Sequence, residues 1–169
     1  MKIKDIKVPY LIAEIGVNYY DIAEKRKISP MEAAKLMIDE CSKAGCDGVK
    51  FQTYTAEKLV TKNAKSYWDT DKEEETSQLE LFKKFDKFGR DEYKILSEYS
   101  LENEVDFLST PFDFEAADFL SPLLPYFKIS SSDITNIPFI EHIARMGKPI
   151  FISTGASTLK EIERAIKTI

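Results

Sequence analysis

Ala44-Gly45-Cys46-Asp47-Gly48-Val49-Lys50-Phe51-Gln52 closes a helical pattern and opens an extended one within nine residues. Upstream, Ser29-Pro30-Met31-Glu32 sets a cap, a first-turn proline and a capping-box glutamate in order. Ala34, Met37, Ile38, Cys41 and Ala44 then form one apolar stripe that stops at Gly45. Downstream, Gly48 to Gln52 is an apolar run of strand length interrupted by a single lysine. The same exchange recurs along the chain. Strands are predicted at Tyr10 to Val17, Gly48 to Gln52, Asp106 to Thr110, Tyr126 to Ser130 and Pro149 to Ser153. Little period-two alternation marks them, as expected when both faces of a strand are covered.

Helical patterns separate these runs. One centres on Tyr93, Leu96 and Tyr99 to Ser100, and another follows Asn136 through Ile137 to Met146 and stops at Gly147. A second capping box, Thr158-Leu159-Lys160-Glu161, opens a helix with Leu159, Ile162, Ala165, Ile166 and Ile169 along it. Strand and helix in alternation make βα units, here five, on a parallel sheet, an α/β fold. Residues 19–29 and 54–77 are expected to be long polar connections. The second holds Tyr67, Trp68 and the acidic run Glu73 to Glu75.

A chain of 169 residues with 43% hydrophobic composition has material for one core, so residues 1–169 are read as one domain or part of one. The net charge of -5 and pI near 5.1 argue against partners such as a nucleic-acid backbone or an anionic membrane. Any anion must be held by locally placed lysines. Lys2, Lys4 and Lys7 precede the run Tyr10 to Val17, but Glu14 interrupts it and no cleavage site follows, so a leader is not expected. Cys41 and Cys46 are expected on different sides of one helix as buried thiols rather than as metal ligands, which suits a reducing cytoplasm.

Chemistry in parallel α/β folds gathers at the carboxyl ends of the strands. Every predicted strand end here is polar. Glu14 lies in the first strand, and Lys50 and Gln52 end the second. Ser109, Thr110 and Asp113 end the third, Lys128, Ser131 and Asp133 the fourth, and Ser153 with Thr154 the fifth. A lysine in an apolar strand costs several kcal/mol unless it meets an anion. Lys50 and Lys128, flanked by Val49, Phe51, Phe127 and Ile129, therefore point to an anionic ligand. A lone strand-end hydroxyl more often satisfies a neighbouring backbone group. Glu14 has two readings, a ligand contact or a structural ion pair with a lysine. His142, the single histidine, is expected to pack or lie at the surface rather than to bind metal.

With those residues in view, the chain resembles the N-acetylneuraminate (sialic acid) synthase family, which includes legionaminate, pseudaminate and spore-coat polysaccharide synthases. The resemblance runs from about Tyr10 to Ile169. It rests on Ile12-Ala13-Glu14-Ile15-Gly16-Val17-Asn18, on the opening stretch Ala44 to Gln52, and on Phe107-Leu108-Ser109-Thr110-Pro111-Phe112-Asp113. Phe127-Lys128-Ile129-Ser130-Ser131-Ser132-Asp133 and Gly147-Lys148-Pro149-Ile150-Phe151-Ile152-Ser153-Thr154-Gly155 complete it.

The resemblance implies a TIM-type (β/α)8 barrel, of which this chain supplies about the first five units. It implies that Lys50, Thr110, Lys128, Ser131 and Ser153 bind phosphoenolpyruvate, with Glu14 and Asp133 as catalytic groups. Asn18, Gln52 and Asp113 are weaker candidates for the sugar. Two departures stand out: the position of Asp133 is usually a glutamate, and Tyr19-Tyr20 replaces a common His-Asn pair.

The implied reaction condenses phosphoenolpyruvate with an N-acylated hexosamine of the N-acetylmannosamine kind, giving a nonulosonic acid and phosphate. The family's divalent metal, manganese or magnesium, is held by histidines on later strands, so no metal ligand is expected in this chain. The family's carboxyl-terminal antifreeze-like domain is also absent from it. These residues alone are expected to be inactive, and the complete enzyme a cytoplasmic homo-oligomer. Two other readings fit the same residues: a Schiff-base aldolase using Lys128 or Lys50, and a non-catalytic binding or assembly domain.

Overall fold

The computed structural model describes residues 9–69, 71 and 75–169. Lys2, Lys4 and Lys7, and Glu73 and Glu74 of the acidic run, lie outside the described residues. The strands are β1 (Ile12–Gly16), β2 (Gly48–Thr53), β3 (Asp106–Pro111), β4 (Phe127–Ile129) and β5 (Ile150–Ile152). All five fall inside or within a residue of the predicted runs. β1, β4 and β5 are shorter than predicted at both ends.

Every pairing between these strands is parallel. β1 pairs with β2, setting Glu14 opposite Lys50, and β2 pairs with β3, setting Gln52 opposite Thr110. β4 and β5 form a second pair, with Lys128 opposite Phe151. The strand order is sequential within each sheet, and β4 runs beside β3 with no ladder joining the two.

The helices are α1 (Tyr19–Arg26), α2 (Pro30–Lys43), α3 (Ala56–Leu59), α4 (Gln78–Lys84), α5 (Arg90–Glu102), α6 (Phe114–Leu120), α7 (Ile137–Ala144) and α8 (Leu159–Thr168). None is long and apolar enough to cross a membrane. One face of the strands packs on them. Ile15, Val49, Phe51, Phe107, Phe127 and Ile129 join Ile38, Leu96, Leu120, Ile140 and Ile143 in the core. Because side chains alternate along a strand, Lys50, Gln52, Thr110 and Lys128 are left to the opposite face.

α2 forms as its punctuation predicts. The Glu32 backbone N–H donates to Ser29 Oγ at 3.2 Å, and Ser29 N–H donates to the Glu32 carboxylate at 2.8 Å. Its far end is a Schellman motif: Cys46 N–H donates to Cys41 C=O at 3.0 Å and Gly45 N–H to Ser42 C=O at 2.9 Å. That motif brings its two flanking side chains together. Cys41 and Cys46 are therefore neighbours and half-buried, not buried on separate sides of a helix as expected. Burial first, then the Cys46 thiol, pushes the Cys41 thiol up.

Two connections expected to be loops carry structure. Residues 19–26 are helical because Tyr19 and Tyr20 are buried against a distant segment. Tyr19 stacks on Phe88 at 4.7 Å and 16°, and Tyr20 lies 5.6 Å from Phe85 while its hydroxyl accepts from Lys87 N–H at 3.1 Å. The 54–77 connection includes α3 and closes on itself through an antiparallel bridge between Lys65 and Ser77. α4 follows that bridge directly, and α6 likewise appears where no helix was predicted.

Gly45 sits at φ +79°, and a Cβ added there would meet no atom within 4 Å, so only backbone strain opposes a side chain. Gly45→Ala should destabilise the fold by about 1–2 kcal/mol, the cost of a left-handed alanine. Urea denaturation checks this, and an unchanged midpoint would count against the motif.

Candidate active site at the carboxyl ends of the strands

The pleat that buries Val49 and Phe51 turns Lys50 to the other face, where it is only 8% exposed. An ammonium so poorly hydrated needs partners. It forms an ion pair with the Glu14 carboxylate across the β1–β2 register and donates to Thr110 Oγ1 at 3.3 Å. Three adjacent strands thus contribute one group each. Thr110 is buried as well. The ion-pair reading of Glu14 is realised in this geometry, and its carboxylate remains largely exposed, so it is open to a ligand too.

Lys128 enters from β4. Its Nζ donates to the Ile129 carbonyl at 3.0 Å, at the carboxyl end of the strand. Burial holds it below the ordinary lysine value. The Lys50 ammonium pushes the same way, and Glu14 opposes both. Both lysines thus point into the carboxyl-end side of the strands, close enough for the Lys50 charge to act on Lys128, and Glu14 pairs directly with Lys50.

The exits of β4 and β5 converge beside them. Ser153 N–H donates to the Ile129 carbonyl at 3.1 Å. A Cβ on Gly155 would stand 3.3 Å from Ser131 Oγ, so a glycine there lets the two exits close up. Ser131 begins a 3-10 turn, Ser131–Asp133. Asp133 is half-buried, and burial raises its carboxyl above the ordinary aspartate value against hydrogen bonds from Asn136 and Ser132 that lower it.

Gln52 is brought to the same mouth as Glu14. Gly16, at φ +58°, leaves room for both: a Cβ there would lie 3.3 Å from Gln52 Nε2 and 3.8 Å from Glu14 Oε1. The Gln52 backbone carbonyl accepts from the Tyr93 hydroxyl at 2.7 Å, fixing the strand end on α5. Asn18 is exposed between β1 and α1, and its side chain does not cap that helix.

Asp113 is not gathered with the lysines. Its carboxylate accepts from Ala116 N–H at 2.8 Å as the N-cap of α6, and it lines a separate cavity of about 110 Å³ with Lys58 and Arg90. Ser109 likewise has a local partner, Thr53, at 2.7 Å.

The two glycines, Gly16 and Gly155, escaped the sequence reading. Their signal was a glycine closing one strand, Gly16 of β1, and a glycine shortly past another, Gly155 beyond β5. His142 bonds Asp118 at 2.7 Å and rests edge-on to Phe114. Among the described residues no group of three or more His, Cys, Asp and Glu could hold a metal ion.

Comparisons with known proteins agree with this arrangement. The NeuB family profile matches residues 37–169. The chain is 35% identical over 163 residues to an N,N'-diacetyllegionaminic acid synthase of Legionella pneumophila, covering 95% of this chain and 43% of that protein. It is 34% identical over 168 residues to the N-acetylneuraminate-9-phosphate synthase of Drosophila melanogaster, covering 95% and 41% respectively. The crystal structure of a sialic acid synthetase from Leptospira borgpetersenii, in complex with citrate, superposes with a TM-score of 0.81 at 29% identity, covering 99% of this chain and 54% of that one. A truncated 3-deoxy-D-arabino-heptulosonate 7-phosphate synthase from Thermotoga maritima shares the fold at a TM-score of 0.65 and 11% identity. The chain spans less than half the length of the curated relatives it matches.

Charging Lys128 is disfavoured in the fold relative to the unfolded chain. The penalty is present below its folded pKa and is relieved as pH rises through that value. Lys50→Met removes a neighbouring cation, so Lys128 should titrate at higher pH in that variant. Side-chain NMR of the lysine Cε and Nζ resonances measures this, and an unmoved titration would separate the two ammonium groups.

Proposed function

This chain belongs to the NeuB family, and from that premise we propose that its strand ends bind phosphoenolpyruvate in a (β/α)8 active site that condenses it with an N-acylated hexosamine. The observation that carries the reading is the pair of poorly hydrated lysines, Lys50 tied to Glu14 and Thr110 across three strands and Lys128 held at the carboxyl end of β4, with Lys50 acting on Lys128. A ligand with a carboxylate and a phosphate supplies the missing negative charge. Thr110, Ser131 and Ser153 would add hydroxyl and backbone donors around it.

In the condensation, carbon 3 of phosphoenolpyruvate attacks the aldehyde carbon of the open-chain sugar and forms the new C–C bond. Water adds at carbon 2, the aldehyde oxygen takes up a proton, and phosphate leaves. The lysines hold the anion in line for that attack. Glu14 shares Lys50 with the anion and faces outward, where it can accept a hydrogen bond from the sugar. Asp133 would steady positive charge developing at carbon 2. The family's divalent metal, manganese or magnesium, finds no donor set among the described residues. The partners of this reading are small molecules, and its setting is a cytoplasmic homo-oligomer.

One observation favours a second reading. A lysine held below its ordinary pKa is a better amine nucleophile, so Lys128 could form a Schiff base with a pyruvate-like substrate. Borohydride trapping of the full-length enzyme with pyruvate separates the two. A covalent adduct on Lys128 favours the aldolase, and none favours the condensation.

Lys128→Ala should weaken phosphoenolpyruvate binding by about 2–4 kcal/mol, the usual scale for removing one partner of a desolvated charge pair. Because binding favours the charged amine, affinity in the unaltered protein should fall as pH rises through the depressed Lys128 pKa. Calorimetric titration at several pH values measures both effects, and an unchanged dissociation constant in the variant would overturn the assignment.

A further inference from the structure

The 54–77 connection leaves a feature that the anion site does not use. Tyr67 is 77% exposed, unusual for so large an aromatic ring, and Trp68 lies edge-on to it at 5.1 Å and 76°. The segment presenting them is tied down. Ser66 N–H donates to the Thr76 carbonyl at 3.0 Å, Gln78 N–H to the Ala64 carbonyl at 3.0 Å, and Trp68 Nε1 to the Glu75 carbonyl at 2.9 Å. A ring held out of the core by a braced loop is available to a ligand.

The two rings border a cavity of about 400 Å³ that also takes in Val17 and Asn18, the connection from β1 to α1. These two residues follow the carboxyl end of β1, the strand that carries Glu14, so the cavity opens at the same end of the sheet as the lysines. Val17, Leu81 and Phe85 give it apolar walls, Asn18 an amide, and Asp21 a negative charge.

We propose that Tyr67 and Trp68 form the sugar-selecting lip of the site, and that it accepts an uncharged N-acylated hexosamine in preference to a sugar phosphate. The inference rests on the condensation reading and names the class of its second substrate. Ring C–H groups of a hexose pack on an exposed aromatic face. An acetamido group needs both an amide partner and a dry pocket for its methyl, which Asn18 and the apolar walls provide together. Asp21 repels a phosphate and leaves a neutral sugar unopposed.

Trp68 is the single tryptophan of these 169 residues, and the difference in emission between the unaltered protein and a Trp68→Phe variant reports on this place. The full-length protein, saturated with phosphoenolpyruvate, is titrated with N-acetylmannosamine, with mannose and with N-acetylmannosamine 6-phosphate, while calorimetry follows the same additions. The expected result is a saturable change in Trp68 emission with N-acetylmannosamine and binding at least tenfold weaker for the other two. Tyr67→Ala, a surface substitution, should weaken N-acetylmannosamine about tenfold, the scale of one lost aromatic contact. It should leave the heat of phosphoenolpyruvate binding unchanged. Saturable sugar heat with a silent Trp68 and an unaffected variant overturns the lip and leaves the condensation standing. Equal or tighter binding of the 6-phosphate overturns the preference for a neutral sugar. Absence of heat from both phosphoenolpyruvate and the sugar overturns the lip and the condensation together.

Discussion

A poorly hydrated ammonium in the middle of a three-stranded sheet organises this molecule. Lys50 is flanked along β2 by Val49 and Phe51, both fully buried on the helical side, and its own charge must be met on the other side. Glu14 from β1 and Thr110 from β3 meet it. Breaking one partner of such a group leaves a desolvated charge, which is far more costly than never having placed it there. The parallel register that seals the core is thus the register that assembles the site. A shift by one residue would bury Lys50 among the helices and expose Val49 and Phe51.

The same alternation explains what the sequence made legible. The βα rhythm is written in local signals, caps before helices, glycines after them and apolar runs between, so the strands and the helices α2, α5, α7 and α8 are readable one segment at a time. α1 is different. Its burial depends on Phe85 and Phe88, more than sixty residues away, and a short polar window with two tyrosines carries no trace of those partners. α6 depends on Asp113 as its N-cap, and a carboxylate at a strand end looks the same in sequence whether it caps a helix or meets a ligand. The cysteine pair shows the same limit: helical spacing separates residues 41 and 46, but the chain has left the helix at Gly45 and folded back.

Within the site, charge was easier to read than hydroxyls. A lysine in an apolar strand admits few explanations, so Lys50 and Lys128 could be singled out from hydration cost alone. Ser109 and Thr110 look equivalent in sequence, yet the pleat sends Ser109 to Thr53 on the helical side and Thr110 to Lys50 in the mouth. Only register distinguishes them. Asp133 stood out by position, but the upward push on its carboxyl comes from burial under a turn that the sequence does not display.

These contrasts divide the site into two parts with different physical origins. The anion side is built from strand residues whose geometry the core enforces, so it can change little without cost to the fold. The proposed sugar side hangs on Asn18 and a braced loop, Tyr67 and Trp68 with it. Loop residues can be exchanged with far less effect on the core. Under the proposed function, such a division lets one scaffold hold the anion fixed while the sugar varies. Relatives of nearly equal similarity to this chain carry names with different products, a diacetylated legionaminic acid in one and a 9-phosphorylated neuraminate in another. The proposed lip, placed in the loop and outside the register of the strands, is compatible with that pattern.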